Sequence, residues 1–164
     1  MLLNAEHFIK KLGLIKHPEG GYFREIYRSN ELCDKLPLRF EGSRNFCTSI
    51  YFLLAGEDVS HFHKIKSDEI WHFYYGTALK IYVLNENKTL STILLGNRLE
   101  NDECFQYVVE KDRWFAAELK DKNSFALVGC TVSPGFDFSD FTLAKKKDLL
   151  ADNYSCKELI EKLT

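Results

Sequence analysis

Residues 56–76 read GEDVSHFHKIKSDEIWHFYYG, and this stretch decides the fold. Turn-prone residues at its two ends bracket two runs that alternate in polarity as β-strands do. His61 and His63 are two positions apart, so on a strand both side chains project to the same face. Glu69 opens the second run, on the face opposite to His72. The stretch therefore predicts two strands that present imidazoles and a carboxylate, a set compatible with a metal site, an acid–base site or neither.

The spacing of these residues resembles the first signature motif of the cupin superfamily. That motif has a glycine, then His-x-His, a glutamate and a second glycine. Here four residues separate Gly56 from His61, one fewer than is usual, and five separate His63 from Glu69, more than is usual. The six residues between Glu69 and Gly76 match the motif.

Three further segments narrow the resemblance to one branch of that superfamily. They are HPEGGYFREIYRS (17–29), SDEIWHFYYG (67–76) and LVGCTVSPGFDFSDFTLA (127–144). In this order, and over nearly the whole chain, they resemble the Cupin_5 family, whose biochemical role is not settled. The resemblance implies a double-stranded β-helix, the cupin jelly roll. A shared fold does not by itself fix a function.

The residues themselves also predict an all-β domain with a helix at each end. Short alternating runs separated by turn signals are typical of a sandwich or barrel. Asn4 and Gly13 suit the two ends of a first helix, and Ser155 with Glu158 forms a capping-box pattern near the C-terminus. The strands are expected at about 45–55, 59–64, 69–75, 78–84, 91–95, 104–109, 113–119, 124–132 and 138–143. We expect one domain over 1–164, with a barrel core at about 20–144, an N-terminal helix at 4–13 and a helical tail at 145–164.

Bulk composition excludes several classes of partner. The 164 residues carry a net charge of −2, so the chain as a whole does not attract nucleic acid. No apolar run approaches the length needed to span a membrane. The five cysteines are odd in number and have no CxxC spacing, which favours reduced thiols. We expect a cytoplasmic protein without nucleic-acid or membrane partners.

The resemblance to cupins also indicates which residues would hold a metal cofactor, if one is bound. They take two histidines and a glutamate from the first motif and a further histidine from the second. Phe115 stands at that second-motif position, and a phenyl ring has no lone pair to give a metal. If a divalent transition metal is bound, its ligands would be His61, His63 and Glu69, because three protein ligands and water can form a catalytic site. We favour no metal cofactor.

Without metal, the same residues suit proton transfer. Histidine titrates near neutral pH, and a nearby carboxylate orients it and raises its basicity. His63 with Glu69 is the expected pair, and Tyr74 or Tyr51 would supply a phenolic acid. The alternative interpretation is that these groups are only satisfied polar side chains in a barrel mouth.

A second motif surrounds Gly20 and Gly21. The element Gly21-x-Phe23-x-Glu25 resembles one found in the nucleotide-sugar epimerase branch of cupins, where an N-terminal strand helps to hold the nucleotide, often across a dimer interface. On a strand, Arg24 would share a face with Tyr22 and could clamp a phosphate or carboxylate. The candidate ligand-binding residues are Tyr22, Arg24, Glu25, His61, Trp71, Phe115, Cys130 and Phe136.

Together these observations predict a small-molecule-binding cupin. Its ligand would be sugar-like or a nucleotide-sugar, and its chemistry a metal-independent isomerisation or epimerisation. One alternative is a non-catalytic ligand-binding or structural module, and another is a metal-dependent cupin oxygenase or isomerase. The apolar residues of the 21–28 strand predict a homodimer that pairs through this segment.

Overall fold

The computed structural model describes residues 3–152 and 155–164, so residues 1–2 and 153–154 of the predicted domain and tail lie outside the described residues. Two six-stranded sheets pack face to face and form a double-stranded β-helix. The predicted all-β cupin jelly roll with short flanking helices is confirmed.

The helices are α1 (Ala5–Leu12), α2 (Lys146–Ala151) and α3 (Lys157–Lys162), with 3₁₀ turns at Leu99–Asn101 and Phe138–Asp140. The strands are β1 (Ile15–Lys16), β2 (Tyr22–Arg28), β3 (Leu32–Cys33), β4 (Arg44–Asn45), β5 (Thr48–Ala55), β6 (Val59–Lys64), β7 (Asp68–Gly76), β8 (Leu79–Leu84), β9 (Leu90–Leu95), β10 (Glu103–Cys104), β11 (Gln106–Val109), β12 (Trp114–Leu119), β13 (Phe125–Ser133) and β14 (Thr142–Leu143).

The first sheet has the order β1-β2-β5-β13-β7-β11 and the second the order β10-β9-β8-β12-β6-β14. Within them, β10 and β9 run parallel and the other described pairs run antiparallel. Strands β6 and β7, which carry the histidines and Glu69, therefore belong to different sheets. They face each other across the interior instead of pairing edge to edge.

Alternation along β5 shows how the first sheet is covered on both faces. Phe52 and Leu54 point into the core between the sheets, and Leu53 points outward beneath α1. All three are buried, so this strand reads as a continuous apolar run. Asn4 caps α1 by accepting a hydrogen bond from the His7 N–H at 2.9 Å, as predicted. Gly13 ends the helix with a φ of 63°, which glycine adopts without strain.

The C-terminal helices cover the outer face of the second sheet. Leu149 of α2, Ile160 of α3 and Leu163 pack against Phe62 and Tyr82. The predicted capping box at Ser155 is wrong. The N-cap of α3 is Cys156, one residue later, and its side chain makes no capping hydrogen bond.

The strand predicted at 138–143 is also wrong over most of its length. The Asp137 carboxylate accepts the N–H of Ser139 at 2.8 Å and so starts the 3₁₀ turn of Phe138–Asp140. Asp140 is then held in the interior by Arg44, through contacts of 2.6 and 2.8 Å. Only β14 remains as a strand, so the segment before it is free to lie over the cavity described next.

Candidate functional site

A cavity of about 80 Å³ lies between the sheets, near β2, β5, β6, β7 and β13. Its lining combines three carboxyls and two imidazoles with four phenylalanine rings. The lining residues are His17, Glu19, Phe23, Glu25, Arg28, Thr48, Ile50, His63, Ile65, Glu69, Cys130, Val132, Phe136, Phe138 and Phe141.

The loop before β2 places Glu19 in this cavity. Gly20 has a φ of 109°, and a Cβ on it would collide with the Val59 carbonyl of β6. Glycine at this position therefore allows the loop to lie directly on β6. The Glu19 carbonyl accepts hydrogen bonds from the backbone N–H of His61 at 2.9 Å and from its ring Nδ1 at 2.7 Å. These bonds fix both the loop and the His61 ring.

His63 and Glu19 form a unit that takes up one proton. Nδ1 of His63 lies 2.7 Å from the His61 carbonyl, which can only accept, so this nitrogen carries a proton. Nε2 faces Oε2 of Glu19 at 3.1 Å. When Glu19 is ionised and His63 is neutral, no proton lies between Nε2 and Oε2, and one proton added there is shared by the two groups. Ser60 donates to the other Glu19 oxygen at 2.9 Å and so holds the carboxyl in place.

Burial raises the pKa values of two carboxyls in the cavity toward neutral pH. Loss of solvent raises the pKa of Glu19 to about 7, although His17 and Ser60 act in the opposite direction. Burial likewise raises the pKa of Glu69 to about 7, opposed by His63 and reinforced by Glu19. It lowers the pKa of His63, because the imidazolium is the form that loses solvation. Both protonation states of the two carboxyls are therefore accessible near pH 7.

His17 supports this cluster as a neutral ring. Its Nδ1 accepts the backbone N–H of Glu19 at 3.2 Å, so that nitrogen presents a lone pair. Burial lowers the pKa of His17, which keeps the ring uncharged at neutral pH. The 3.7 Å from this Nδ1 to Oε2 of Glu19 is too long for a hydrogen bond. The ring also packs edge-on against Phe23, with the centroids 4.5 Å apart.

Arg28 and Glu25 pair at the edge of the cavity. The guanidinium donates to both carboxylate oxygens, at 3.0 and 2.7 Å. It also donates to Asn45 at 2.8 Å and to the Phe136 carbonyl at 3.1 Å. Arg28 is therefore engaged by the protein itself and joins β2 to the segment before β14.

Comparison with known proteins identifies the family. Residues 6–144 match the family model Cupin_5, which is described as cupin superfamily (DUF985). The chain belongs to the Cupin_5 family. A structure of protein SO0799 from Shewanella oneidensis is 41% identical and has a TM-score of 0.90, covering 99% of this chain and 98% of that one. A hypothetical protein from Leishmania major is 33% identical with a TM-score of 0.87, covering 99% of each chain.

Two further proteins resemble this chain, one in sequence and one in fold. The uncharacterised protein YML079W of Saccharomyces cerevisiae is 32% identical over 90% of this chain and 78% of its own. Oxalate decarboxylase from Bacillus subtilis has a TM-score of 0.57 at 16% identity, over 91% of this chain and 36% of that protein. At that identity the likeness shows the cupin fold alone.

The Bacillus enzyme has Mn(II) centres, which raises the question of whether side chains of this cupin could hold a metal ion. His61 uses Nδ1 on the Glu19 carbonyl, and His63 directs Nε2 at the Glu19 carboxyl. The Phe115 ring lies 4.1 Å from the His63 ring, centroid to centroid, where the second-motif histidine would stand. Over residues 3–152 and 155–164, no three His, Cys, Asp or Glu side chains are grouped to hold a metal ion. The predicted alternative set of His61, His63 and Glu69 does not fit one.

Five of the predicted site residues line the cavity of this cupin: His63, Glu69, Glu25, Cys130 and Phe136. Cys130 is buried against Glu69, which raises the pKa of its thiol well above the usual value. Such a thiol is not a nucleophile at neutral pH.

Three other predicted residues support the cavity from behind. Phe115 packs on His63, and Trp71 packs edge-on against Phe115 with the centroids 6.2 Å apart. His61 is held by the Glu19 carbonyl. These residues shape the site but do not line it.

The remaining predicted residues lie on the outer face of the first sheet. Tyr51 and Tyr22 pack beneath α1, and Arg24 donates to the Leu12 carbonyl at 2.8 Å. Tyr74 borders an outer groove that also includes Tyr51. The expectation that these groups meet His63 in one site is corrected, because their strand parity turns them away from the cavity.

Sequence reasoning missed Glu19, His17 and Arg28. His17 and Glu19 lie two positions apart just before Gly20-Gly21, and a loop that bends back against a strand is the signal that could have marked them. Arg28 was hidden by a β-bulge between Glu25 and Tyr27. The extra residue reverses the alternation and turns Arg28 to the cavity side.

Proposed function

We propose that this cupin binds a small sugar-like molecule in the cavity and moves a proton on it without a metal, as in an isomerisation or epimerisation. The observation that carries this proposal is the His63–Glu19 unit, which accepts one proton on a cavity that Glu69 also lines. Two proton-exchanging groups with access to both states near pH 7 are the minimum that such chemistry needs.

The chemistry assigns a role to each group. The Glu19 carboxylate takes a proton from a carbon next to the ligand's carbonyl, and Nε2 of His63, 3.1 Å from Oε2, shares that proton. The electron pair moves toward the carbonyl oxygen, and protonated Glu69 donates to that oxygen. In an isomerisation the proton returns to the neighbouring carbon, and Glu69 takes back a proton from the hydroxyl on the first carbon, which becomes the new carbonyl. In an epimerisation the proton returns to the opposite face of the first carbon, and Glu69 takes its proton back from the enol oxygen. Glu69 thus takes the acid role that was predicted for Tyr74 or Tyr51.

The size and charge of the cavity favour a small ligand over a nucleotide-sugar. At about 10–15 Å³ for each water, it holds on the order of six waters, the scale of a monosaccharide. Among the described residues that line the cavity, Arg28 is the one Lys or Arg, and it is bonded to Glu25. A diphosphate would therefore meet carboxyls without a free cation to pair with.

A non-catalytic binding module is the second candidate. The observation that favours it is the position of Tyr51 and Tyr74 outside the cavity, which leaves Glu69 as the sole proton donor opposite His63 in this scheme. A module of this kind would bind the same ligand without exchanging its protons.

The test combines binding with isotope exchange. Thermal shift with a panel of monosaccharides and related polyols should give a ligand, and incubation with the protein in D₂O should replace a carbon-bound hydrogen, seen by proton NMR. Glu69→Gln and His63→Gln should retain binding and lose the exchange. Binding without exchange in the wild type would favour the module, and no binding at all would refute both candidates.

We also propose that the protein is a cytoplasmic homodimer. The five cysteines are free, which supports a reducing compartment, and no helix of the described ranges is long and apolar enough to cross a membrane. Strand β1 pairs with only Tyr22 and Phe23 of β2. Ile26 and Tyr27 beyond them are 45% and 53% exposed, which leaves an apolar edge for a second copy to cover.

A further inference from the structure

Three phenylalanines from one short segment form adjoining walls of the cavity. Phe136 and Phe138 have centroids 5.0 Å apart and planes inclined at 81°. Phe141 lies 6.3 Å from each, at 67° and 74°. All three rings line the cavity, and Phe23 and His17 adjoin them. Rings set at steep angles to one another form a corner, whereas rings stacked in parallel would fill the space.

The aromatic walls favour a cation. Each ring carries negative potential on its face, and organic ammonium groups bind where several such faces meet. Neutral sugars also pack on aromatic rings, so the walls alone do not separate the two ligand classes.

The charged groups that line the rest of the cavity distinguish an ammonium ligand from a neutral sugar. Three carboxyls line the cavity, those of Glu19, Glu25 and Glu69. Arg28 neutralises Glu25, and His63 faces Glu19. Glu69 is only 7% exposed, and no Lys or Arg of the described residues pairs with it. It accepts a hydrogen bond from the Cys130 thiol, a weak donor, and His63, whose own pKa is lowered by burial, also acts on its charge. A buried carboxylate without a cation is costly unless a ligand supplies the charge.

We propose that the ligand of this cavity carries an organic ammonium group, which lies against the Phe136–Phe138–Phe141 rings and pairs with the Glu69 carboxylate. The ligand class is therefore a small amine with hydroxyl groups, such as an amino sugar or an amino alcohol. This inference rests on the proposed function only in that a small molecule binds in this cavity.

The affinity for an ammonium ligand should depend on pH. His63, Glu19 and Cys130 face Glu69 from the neighbouring elements, and its carboxyl holds a proton below about pH 7. An ammonium ion must displace that proton, so the affinity should rise with pH by at most about tenfold per unit up to that point. A neutral hydroxylated ligand should show no such rise.

The experiment compares matched ligands by titration calorimetry between about pH 6 and pH 8. The pairs are 3-amino-1,2-propanediol with glycerol and ethanolamine with ethylene glycol, because their ammonium groups stay charged over this range. The amine of each pair should bind at least about tenfold more tightly at the upper pH. Glu69→Gln should remove this preference, so that the amine and the hydroxyl compound of each pair bind with similar affinity at both ends of the pH range.

A second variant tests the aromatic walls without disturbing the core. Phe138 is 56% exposed, so Phe138→Leu should fold normally, and it should weaken amine binding by about three- to tenfold. Phe105→Leu is the matched control, because Phe105 is 49% exposed and lies outside the cavity lining, and it should change nothing.

The outcomes separate this inference from the proposed function. If the hydroxyl compounds bind as well as the amines at every pH, the ammonium proposal is overturned and the sugar-like ligand stands. If the amines bind but the monosaccharides that bind show no exchange in D₂O, the ammonium proposal stands and proton transfer fails. If neither amine binds, the ammonium proposal is overturned, and the monosaccharide panel alone decides the proposed function.

Discussion

Replacing Glu69 by glutamine should stabilise the folded protein at neutral and alkaline pH. The carboxyl is 7% exposed, and burial raises its pKa from 4.5 to about 7. Between these values the folded state keeps a proton that the unfolded state has lost, so the free energy of unfolding falls as the pH rises. The steepest fall is about 1.4 kcal/mol per pH unit, and over the whole interval the cost reaches about 3 kcal/mol. Glutamine mimics the protonated acid and avoids this cost.

Urea unfolding followed by tryptophan fluorescence at a series of pH values measures the effect. Glu69→Gln and the wild type should be nearly equally stable at about pH 4.5, and the variant should be more stable by up to about 3 kcal/mol at pH 8. The lowered pKa of His63 adds a loss of stability as the pH falls below 6.5, and it is present in both proteins. Glu161→Gln, at an exposed position of α3, is the control and should follow the wild type. A difference between Glu69→Gln and the wild type that does not change with pH would refute the reasoning.

Three other predictions test separate parts of the structure. Arg44→Ala should lower the free energy of unfolding by about 3 kcal/mol, because the buried Asp140 carboxylate keeps only its 3.5 Å contact with Lys66, and a loss below about 1 kcal/mol in denaturant titrations would contradict this. Protein purified without a metal-affinity tag should contain substoichiometric transition metal by elemental analysis, whereas one ion per chain that is lost in His63→Ala would show a metal site. Sedimentation at micromolar concentration should give a dimer that Ile26→Glu converts to a monomer, and a monomeric wild type would exclude pairing through β2.

The fold could be predicted because strand alternation, turn residues and helix caps all indicated the same architecture. Alternation placed most strands within a few residues, and the first helix was marked by a cap at each end. The failures fell where a side-chain contact overrides local pattern. Asp137 starts a 3₁₀ turn at Phe138–Asp140, and Arg44 then draws Asp140 inward, a long-range pairing that no local pattern reveals.

The candidate site was predictable only in part for the same reason. Parity put His61 and His63 on one face of a strand, and the alternation of 69–75 put Tyr74 opposite Glu69. It could not show that the loop before β2 folds onto β6 and delivers Glu19, because that depends on a close approach permitted by Gly20. Nor could it place Arg28, whose side is set by a bulge.

The central claim is that two glutamates of one small cavity exchange protons near neutral pH. Carbon-13 NMR of protein labelled at the glutamate side-chain carboxyls measures this without a ligand. Two resonances should titrate at about pH 7, and Glu19→Gln and Glu69→Gln should each remove one of them. If every glutamate carboxyl instead titrates near its ordinary value of about 4.3, the cavity holds no proton-exchanging pair and the account is contradicted.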